Sequence, residues 1–66
     1  MPVENKIKEY RERLGMSQEQ LAQKSGVGRS TISEAESGTH VPTLEAALRL
    51  AQALETTVND LFNLVS

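Results

Sequence analysis

Apolar residues recur at three- and four-residue spacing along most of this 66-residue chain, which is the pattern of amphipathic helices. The first such run stops at Gly15, a residue that favours a helix end, and consists of Val3, Ile7, Tyr10 and Leu14. The pattern therefore predicts a first helix that begins near Val3 and ends at Gly15.

Two further helical patterns meet at a Gly-Val-Gly corner. In the first of them Ser17 is a typical N-cap residue, and Gln20 three positions later completes a capping box. Leu21 and Ala22 form its inward face, and Gly26 supplies the left-handed residue that ends it.

The next pattern predicts a third helix, for which Gly28 is a permissive N-cap. Ile32 and Ala35 lie on its inward face, and Gly38 ends it. Two further helices with threonine caps follow, with Thr43 as the cap of the fourth and Thr57 as the cap of a short fifth.

The fourth helix has an apolar stripe of Leu44, Ala47, Leu48, Ala51 and Leu54, which Leu50 widens on one side. The fifth carries Val58, Leu61 and Phe62, and residues 63–66 are too few for another helix. The chain is therefore predicted to be one all-α domain of five helices over residues 1–66. Its helix-turn-helix unit is predicted to span about 17–37, and residues 43–66 are expected to serve the core and dimerisation.

Composition narrows the choice of function class. A chain of this length is near the lower limit for a single core, so a homodimer that buries more apolar surface is expected. There is no cysteine, and no apolar run has the length of a membrane span or a signal peptide, so a cytoplasmic protein is expected. The sole histidine has no partner at catalytic or metal-ligand spacing, so we expect no enzyme activity, metal, cofactor or small-molecule effector.

Two helical patterns that meet at such a corner are typical of a helix-turn-helix, whose second helix lies on DNA, but the charge of this chain does not favour that interpretation. The net charge is −2 at pH 7, and the third helix carries Glu34 and Glu36 against a single cation, Arg29. A helix that approaches phosphates is expected to be basic. Either the chain does not read DNA, or its carboxylates point elsewhere.

A family resemblance is carried by the run SQEQLAQKSGVGRSTISEAESG, with VPTLEAALRLAQAL and VNDLF after it. The chain resembles, over nearly its whole length, the Xre/phage-repressor (Cro-like) helix-turn-helix family of small DNA-binding transcriptional regulators. Ala22 is small where two helices cross, Val27 fills the corner, and Ile32 anchors the third helix. The resemblance implies a lambda-repressor-like fold, possibly with a short terminal β-ribbon. It also implies a repressor that binds double-stranded DNA, at a partly palindromic operator, as a homodimer.

The same resemblance places the third helix in the major groove. The residues it assigns to DNA are Gln18, Gly28, Arg29, Ser30, Ser33, Glu34, Ser37 and His40. A turn of 100° per residue puts most of them on one arc of the third helix, opposite Ile32 and Ala35. Arg29 would pair with a guanine and Glu34 would accept from a cytosine amino group.

Two further assignments can be made, the first from the resemblance and the second from the residues themselves. Similar phage repressors pair an arginine of the first helix with a glutamate at the end of the third, and the matching residues are Arg11 and Glu36. Glu36 would then be structural, leaving Glu34 as the carboxylate that faces DNA. The dimer interface is expected at Phe62, Leu64 and Val65, large apolar residues at the end of a chain with little core left to cover them.

Two alternatives remain at this stage. One is a protein-interaction helix-turn-helix module, such as an antitoxin or anti-repressor, for which a continuous acidic patch around Glu34 would be the sign. The other is the DNA-binding part of a longer regulator, although the initiator Met and the absence of a trailing linker favour a complete small repressor.

Overall fold

The computed structural model describes residues 3–65, which form five helices and two short strands. None of the helices within these residues is long and apolar enough to cross a membrane. In chain order the elements are β1 (Val3–Asn5), α1 (Ile7–Arg13), α2 (Gln18–Ser25), α3 (Arg29–Ser37), α4 (Leu44–Ala53), α5 (Val58–Leu61) and β2 (Phe62–Leu64).

The two strands form an antiparallel ribbon that joins the chain ends. Val3 lies opposite Leu64 and Asn5 opposite Phe62, and the Lys6 N–H donates to the Leu61 carbonyl at 2.8 Å. The helical class and the possible ribbon are thus confirmed. Two boundaries were wrong, because Val3 belongs to β1 instead of the first helix, and Phe62 belongs to β2 instead of the fifth.

Both errors have the same physical cause. Helical spacing of apolar residues does not distinguish a helix from a strand whose partner is distant in sequence. The Asn5 side-chain oxygen accepts the Ile7 N–H at 3.2 Å, which places the start of α1 after Val3. Phe62 leaves α5 with extended backbone angles and pairs with β1.

The helix-turn-helix forms from local signals, as predicted. The Gln20 N–H donates to Ser17 Oγ at 3.1 Å and the Ser17 N–H donates to Gln20 Oε1 at 2.8 Å, which completes the capping box. Gly26 has a φ of 78° and ends α2 in the left-handed conformation. Gly28 caps α3, which contacts α2 across this turn.

The core lies between the helices and draws a fully buried side chain from each of them. α2 packs against both α3 and α4, so the helix-turn-helix is joined to the rest of the domain through α2. The largest fully buried side chains are Ile7, Leu21, Ile32, Leu50, Leu54 and Leu61.

The buried face of α4 differs from the predicted stripe. Leu50, expected only at its edge, is completely buried, whereas Leu44 and Leu48 are 71% and 54% exposed. Most residues of α4 are apolar, so they cover more of its circumference than α2 and α5 can bury. The helix pattern located the apolar surface but not the part of it that the neighbouring helices cover.

Candidate nucleic-acid interface

The outer face of α3 is polar throughout. Five of its residues are exposed, namely Arg29, Ser30, Ser33, Glu34 and Ser37. The opposite face is held in the core by Ile32 and Ala35. The exposed residues therefore share one surface whose hydroxyl, guanidinium and carboxylate groups can donate and accept hydrogen bonds.

The starts of α2 and α3 come together beside this face. They form an open groove of about 330 Å³ that is lined by Arg11, Ser17, Gln18, Glu19 and Arg29. The structure thus brings Gln18 and Arg29 to one site, although they are eleven positions apart in the chain. Gly28 is exposed at the same end of α3 and makes no side-chain cap.

His40 lies beside the other end of the polar face. Its Nδ1 is 3.7 Å from Glu34 Oε2, and the side chains of His40 and Glu34 are 69% and 50% exposed. The two also line an open groove of about 390 Å³ with the helix-turn-helix corner and the start of α4. Among residues 3–65 no three metal-ligating side chains come together.

Arg11 and Glu36 form a two-pronged ion pair at the junction of α1 and α3. Arg11 Nε donates to Glu36 Oε2 at 2.9 Å, and Arg11 Nη2 donates to Glu36 Oε1 at 3.1 Å. The two side chains are only 10% and 7% exposed. Arg11 Nη1 also donates to the Met16 carbonyl at 2.8 Å, so the pair holds the loop before α2 as well.

The hydrogen bond with Glu36 raises the pKa of Arg11 above its ordinary value, against the opposing effect of burial. A pKa that is raised in the folded state means that the stabilisation is complete below the unfolded-state pKa. It is lost only as the pH rises through the folded-state pKa, which lies in strongly alkaline solution. The guanidinium therefore stays charged at neutral pH and offsets the Glu36 carboxylate.

This ion pair neutralises one of the two carboxylates of α3. Glu36 is buried against a cation, so Glu34 is the α3 carboxylate that remains on the outer face. Arg29 at one end and His40 beside Glu34 lie on the same side of the domain as that carboxylate. The polar face of α3 is therefore of mixed charge and does not form a continuous acidic patch.

Asn5, which was not among the predicted site residues, joins the terminal ribbon to α3. Its Nδ2 donates to the Ala35 carbonyl at 2.9 Å, which ties the terminal ribbon to the last turn of α3. An asparagine two residues before a helix start is a capping signal, so its bond to Ile7 could have been predicted. Its bond to Ala35 could not, because the two residues are 30 positions apart.

The three apolar tail residues differ in their burial. Phe62 is half-buried and packs against the core, whereas Leu64 and Val65 are 81% and 42% exposed. Val3, Phe62 and Leu64 share one face of the ribbon, because paired residues of antiparallel strands, and next-but-one residues along each, point the same way. Leu64 thus continues an apolar surface beyond the end of the core.

Sequence comparisons connect the chain to known proteins. A helix-turn-helix family model matches residues 7–61. An uncharacterized HTH-type transcriptional regulator, YgzD of Bacillus subtilis, is 42% identical over 60 residues, which cover 91% of each chain. An uncharacterized HTH-type transcriptional regulator of Archaeoglobus fulgidus is 40% identical over 60 residues, covering 91% of this chain and 86% of its own.

Solved structures give the same relationship in three dimensions. The restriction-modification controller protein C.AhdI from Aeromonas hydrophila is 36% identical, with a TM-score of 0.78 over 83% of each chain. A chain of the SinR–SinI complex is 31% identical, with a TM-score of 0.77 over 80% of this chain and 52% of that one. The shared fold therefore extends well beyond the two helices of the turn motif.

Proposed function

This chain belongs to the helix-turn-helix family of transcriptional regulators and has their DNA-binding fold, and on that premise we propose that it is a sequence-specific repressor. It acts in the cytoplasm as a homodimer on a partly palindromic DNA operator. A bound dimer represses by occupying the operator and excluding other proteins from it. The family consists of regulators, so the chain is not an enzyme.

The observation that carries this proposal is the polar outer face of α3. An α-helix fits the major groove, where base edges present distinct patterns of donors and acceptors. Arg29 can donate two hydrogen bonds to a guanine, and Glu34 can accept from a cytosine amino group. Ser30, Ser33 and Ser37 add hydroxyl groups that can donate or accept.

Phosphate binding relies less on cations in this chain than is usual. The backbone N–H groups at the starts of α2 and α4, near Gln18 and Leu44, are donors placed where helix dipoles favour an anion. His40 lies in the loop between α3 and α4 and supports the same role. These groups offset the low net charge of the chain.

Changing Arg29 to Ala is expected to weaken specific binding by about 1–3 kcal/mol, the usual cost of a lost bidentate base contact. Preference should relax at one base pair of each half-site, and the fold should survive because Arg29 is exposed. An operator selected from a random DNA pool and titrated with both proteins measures this.

The matched control for that experiment is Arg13→Ala, which removes the same charge from the exposed face of α1. It should leave the base preference unchanged. If the Arg29 variant binds the selected operator as tightly as the parent does, α3 does not occupy the groove as proposed.

A protein-interaction module, such as an antitoxin or anti-repressor, is the second candidate, and the exposed carboxylate of Glu34 favours it. The buried pairing of Glu36 counts against it, because α3 then lacks the continuous acidic patch that a cationic partner would bind. A mobility-shift assay with the protein's own promoter region separates the two functions. Absence of a shift at low salt, with a folded protein, would favour the protein partner.

The homodimer is proposed to form through the tail, with Leu64 and Val65 against the same residues of a second copy and Phe62 supporting them from the core. This assignment rests on the exposure of Leu64 at the end of an apolar ribbon face. A two-fold axis there would set two α3 helices about one DNA turn, ~34 Å, apart. The exposed side of α4, with Leu44 and Leu48, is the competing surface.

Changing Leu64 to Glu is expected to convert the dimer to a monomer, because two carboxylates would face each other across the axis. Sedimentation at micromolar concentration measures the change, and Leu48→Glu on α4 is the matched control. A parent that sediments as a monomer contradicts the dimer. A monomer produced only by Leu48→Glu moves the interface to α4.

A further inference from the structure

The Glu36 carboxylate is held from two directions. Both of its oxygens accept from Arg11, and Oε1 also accepts from Gln18 Nε2 at 3.2 Å. The side chain is 7% exposed and has little freedom to rotate. Gln18, the first residue of α2, is thus bonded to a fixed acceptor from α3.

A fixed carboxylate determines which way the glutamine amide points. A carboxylate can only accept, so the amide must present its NH₂ group to Glu36 and its oxygen elsewhere. The flipped amide would place Gln18 Oε1 against a Glu36 carboxylate oxygen, and the two oxygens would repel each other. Of the two N–H bonds on Gln18 Nε2, the one that points away from Gln18 Oε1 is best placed to donate to Glu36. This arrangement keeps the amide oxygen farthest from the carboxylate oxygen.

The opposite edge of the amide remains free, and it carries Oε1 and the second N–H side by side. Gln18 lines the open groove that Arg29 also lines, next to the outer face of α3. An edge with one acceptor and one donor matches the N6 amino group and N7 of adenine, whereas guanine offers two acceptors there.

We propose that Glu36 is a positioning residue that orients Gln18 to read an adenine in the major groove. This rests on the proposed DNA-binding function and names one base that the same surface selects. Glu36 does not touch DNA in this arrangement. Its buried pairing with Arg11 makes it rigid enough to hold the Gln18 amide in one orientation.

The experiment measures relative affinities for two operators that differ only in adenine or guanine at one position. The position to vary is the operator position at which the Gln18→Met variant and the parent protein differ in base preference. The parent should prefer adenine by about 5- to 150-fold, the usual range for one bidentate contact. A ratio of two affinities is insensitive to partial unfolding, since the unfolded fraction reduces both equally.

Glu36→Gln should reduce this preference at least threefold, because a neutral amide accepts either orientation of Gln18. In the Gln18→Met background the same change should have no further effect. Should Glu36→Gln fold poorly, Arg11→Met/Glu36→Leu replaces the pair by apolar groups and removes the acceptor, with the same expected loss. Glu9→Gln, which neutralises an exposed carboxylate of α1 that has no part in the proposed interface, is the control and should leave the preference intact.

Three results would overturn the inference. In the first, the adenine preference survives in both Glu36 variants. In the second, Glu36→Gln has the same effect in the parent protein and in the Gln18→Met variant. In the third, Gln18→Met changes the preference for a base other than adenine. Failure of the proposed function gives a different result, because the parent itself would then enrich no sequence from the random pool.

Discussion

Replacing Glu36 by Ala is expected to lower the free energy of unfolding by about 3–5 kcal/mol, because the Arg11 guanidinium stays buried without its partner. A chain of this size has a total stability of roughly 3–10 kcal/mol, so the variant should be close to unfolded at 25 °C. Urea unfolding followed by circular dichroism measures the loss. Glu34→Ala, an exposed glutamate two residues away, is the control and should change stability by at most about 0.5 kcal/mol.

A double-mutant cycle separates a true pairing from two independent effects. Arg11→Met/Glu36→Leu removes both charges together, so the double variant should recover much of the stability that either single change removes. Single-variant losses that simply add would mean that the 2.9 Å contact contributes no coupling between the two residues.

Ile32→Ala is expected to lower the free energy of unfolding by about 2–5 kcal/mol. The Ile32 side chain is 0% exposed, so the substitution leaves a cavity beneath α3. DNA binding should fall in step with the folded fraction. Ile32→Val keeps most of the volume and should cost only about 0.5–1.5 kcal/mol.

The contrast with Arg29 makes this second result informative. Arg29 is exposed on α3 whereas Ile32 is completely buried, so Arg29→Ala should weaken DNA binding without unfolding the domain, and Ile32→Ala should weaken binding by unfolding it. Thermal unfolding measured beside the DNA titration distinguishes them. An unchanged unfolding midpoint for Ile32→Ala would mean that α3 is not anchored through this residue.

Local sequence signals predicted most of the helical architecture. The Ser17–Gln20 capping box, the left-handed Gly26 and Gly38, and the caps at Thr43 and Thr57 each depend on residues within a few positions of one another. The polar outer face of α3 was also predictable, because it follows from a periodicity of 100° per residue and the burial of Ile32. The Arg11–Glu36 pairing was named from the family resemblance, since the residues' own spacing does not indicate it.

The remaining features depend on residues that are distant in the chain, and only the tertiary structure decided them. Asn5 reaches Ala35 across 30 positions, and Gln18 reaches Glu36 across 18. The β1–β2 ribbon pairs the two ends of the chain, and for this reason Val3 and Phe62 belong to strands and not to the helices predicted for them. The apolar surface of α4 was evident in sequence, but the packing of α2 and α5 determined that Leu50 is buried and Leu48 exposed, because neighbouring helices can cover only part of its circumference.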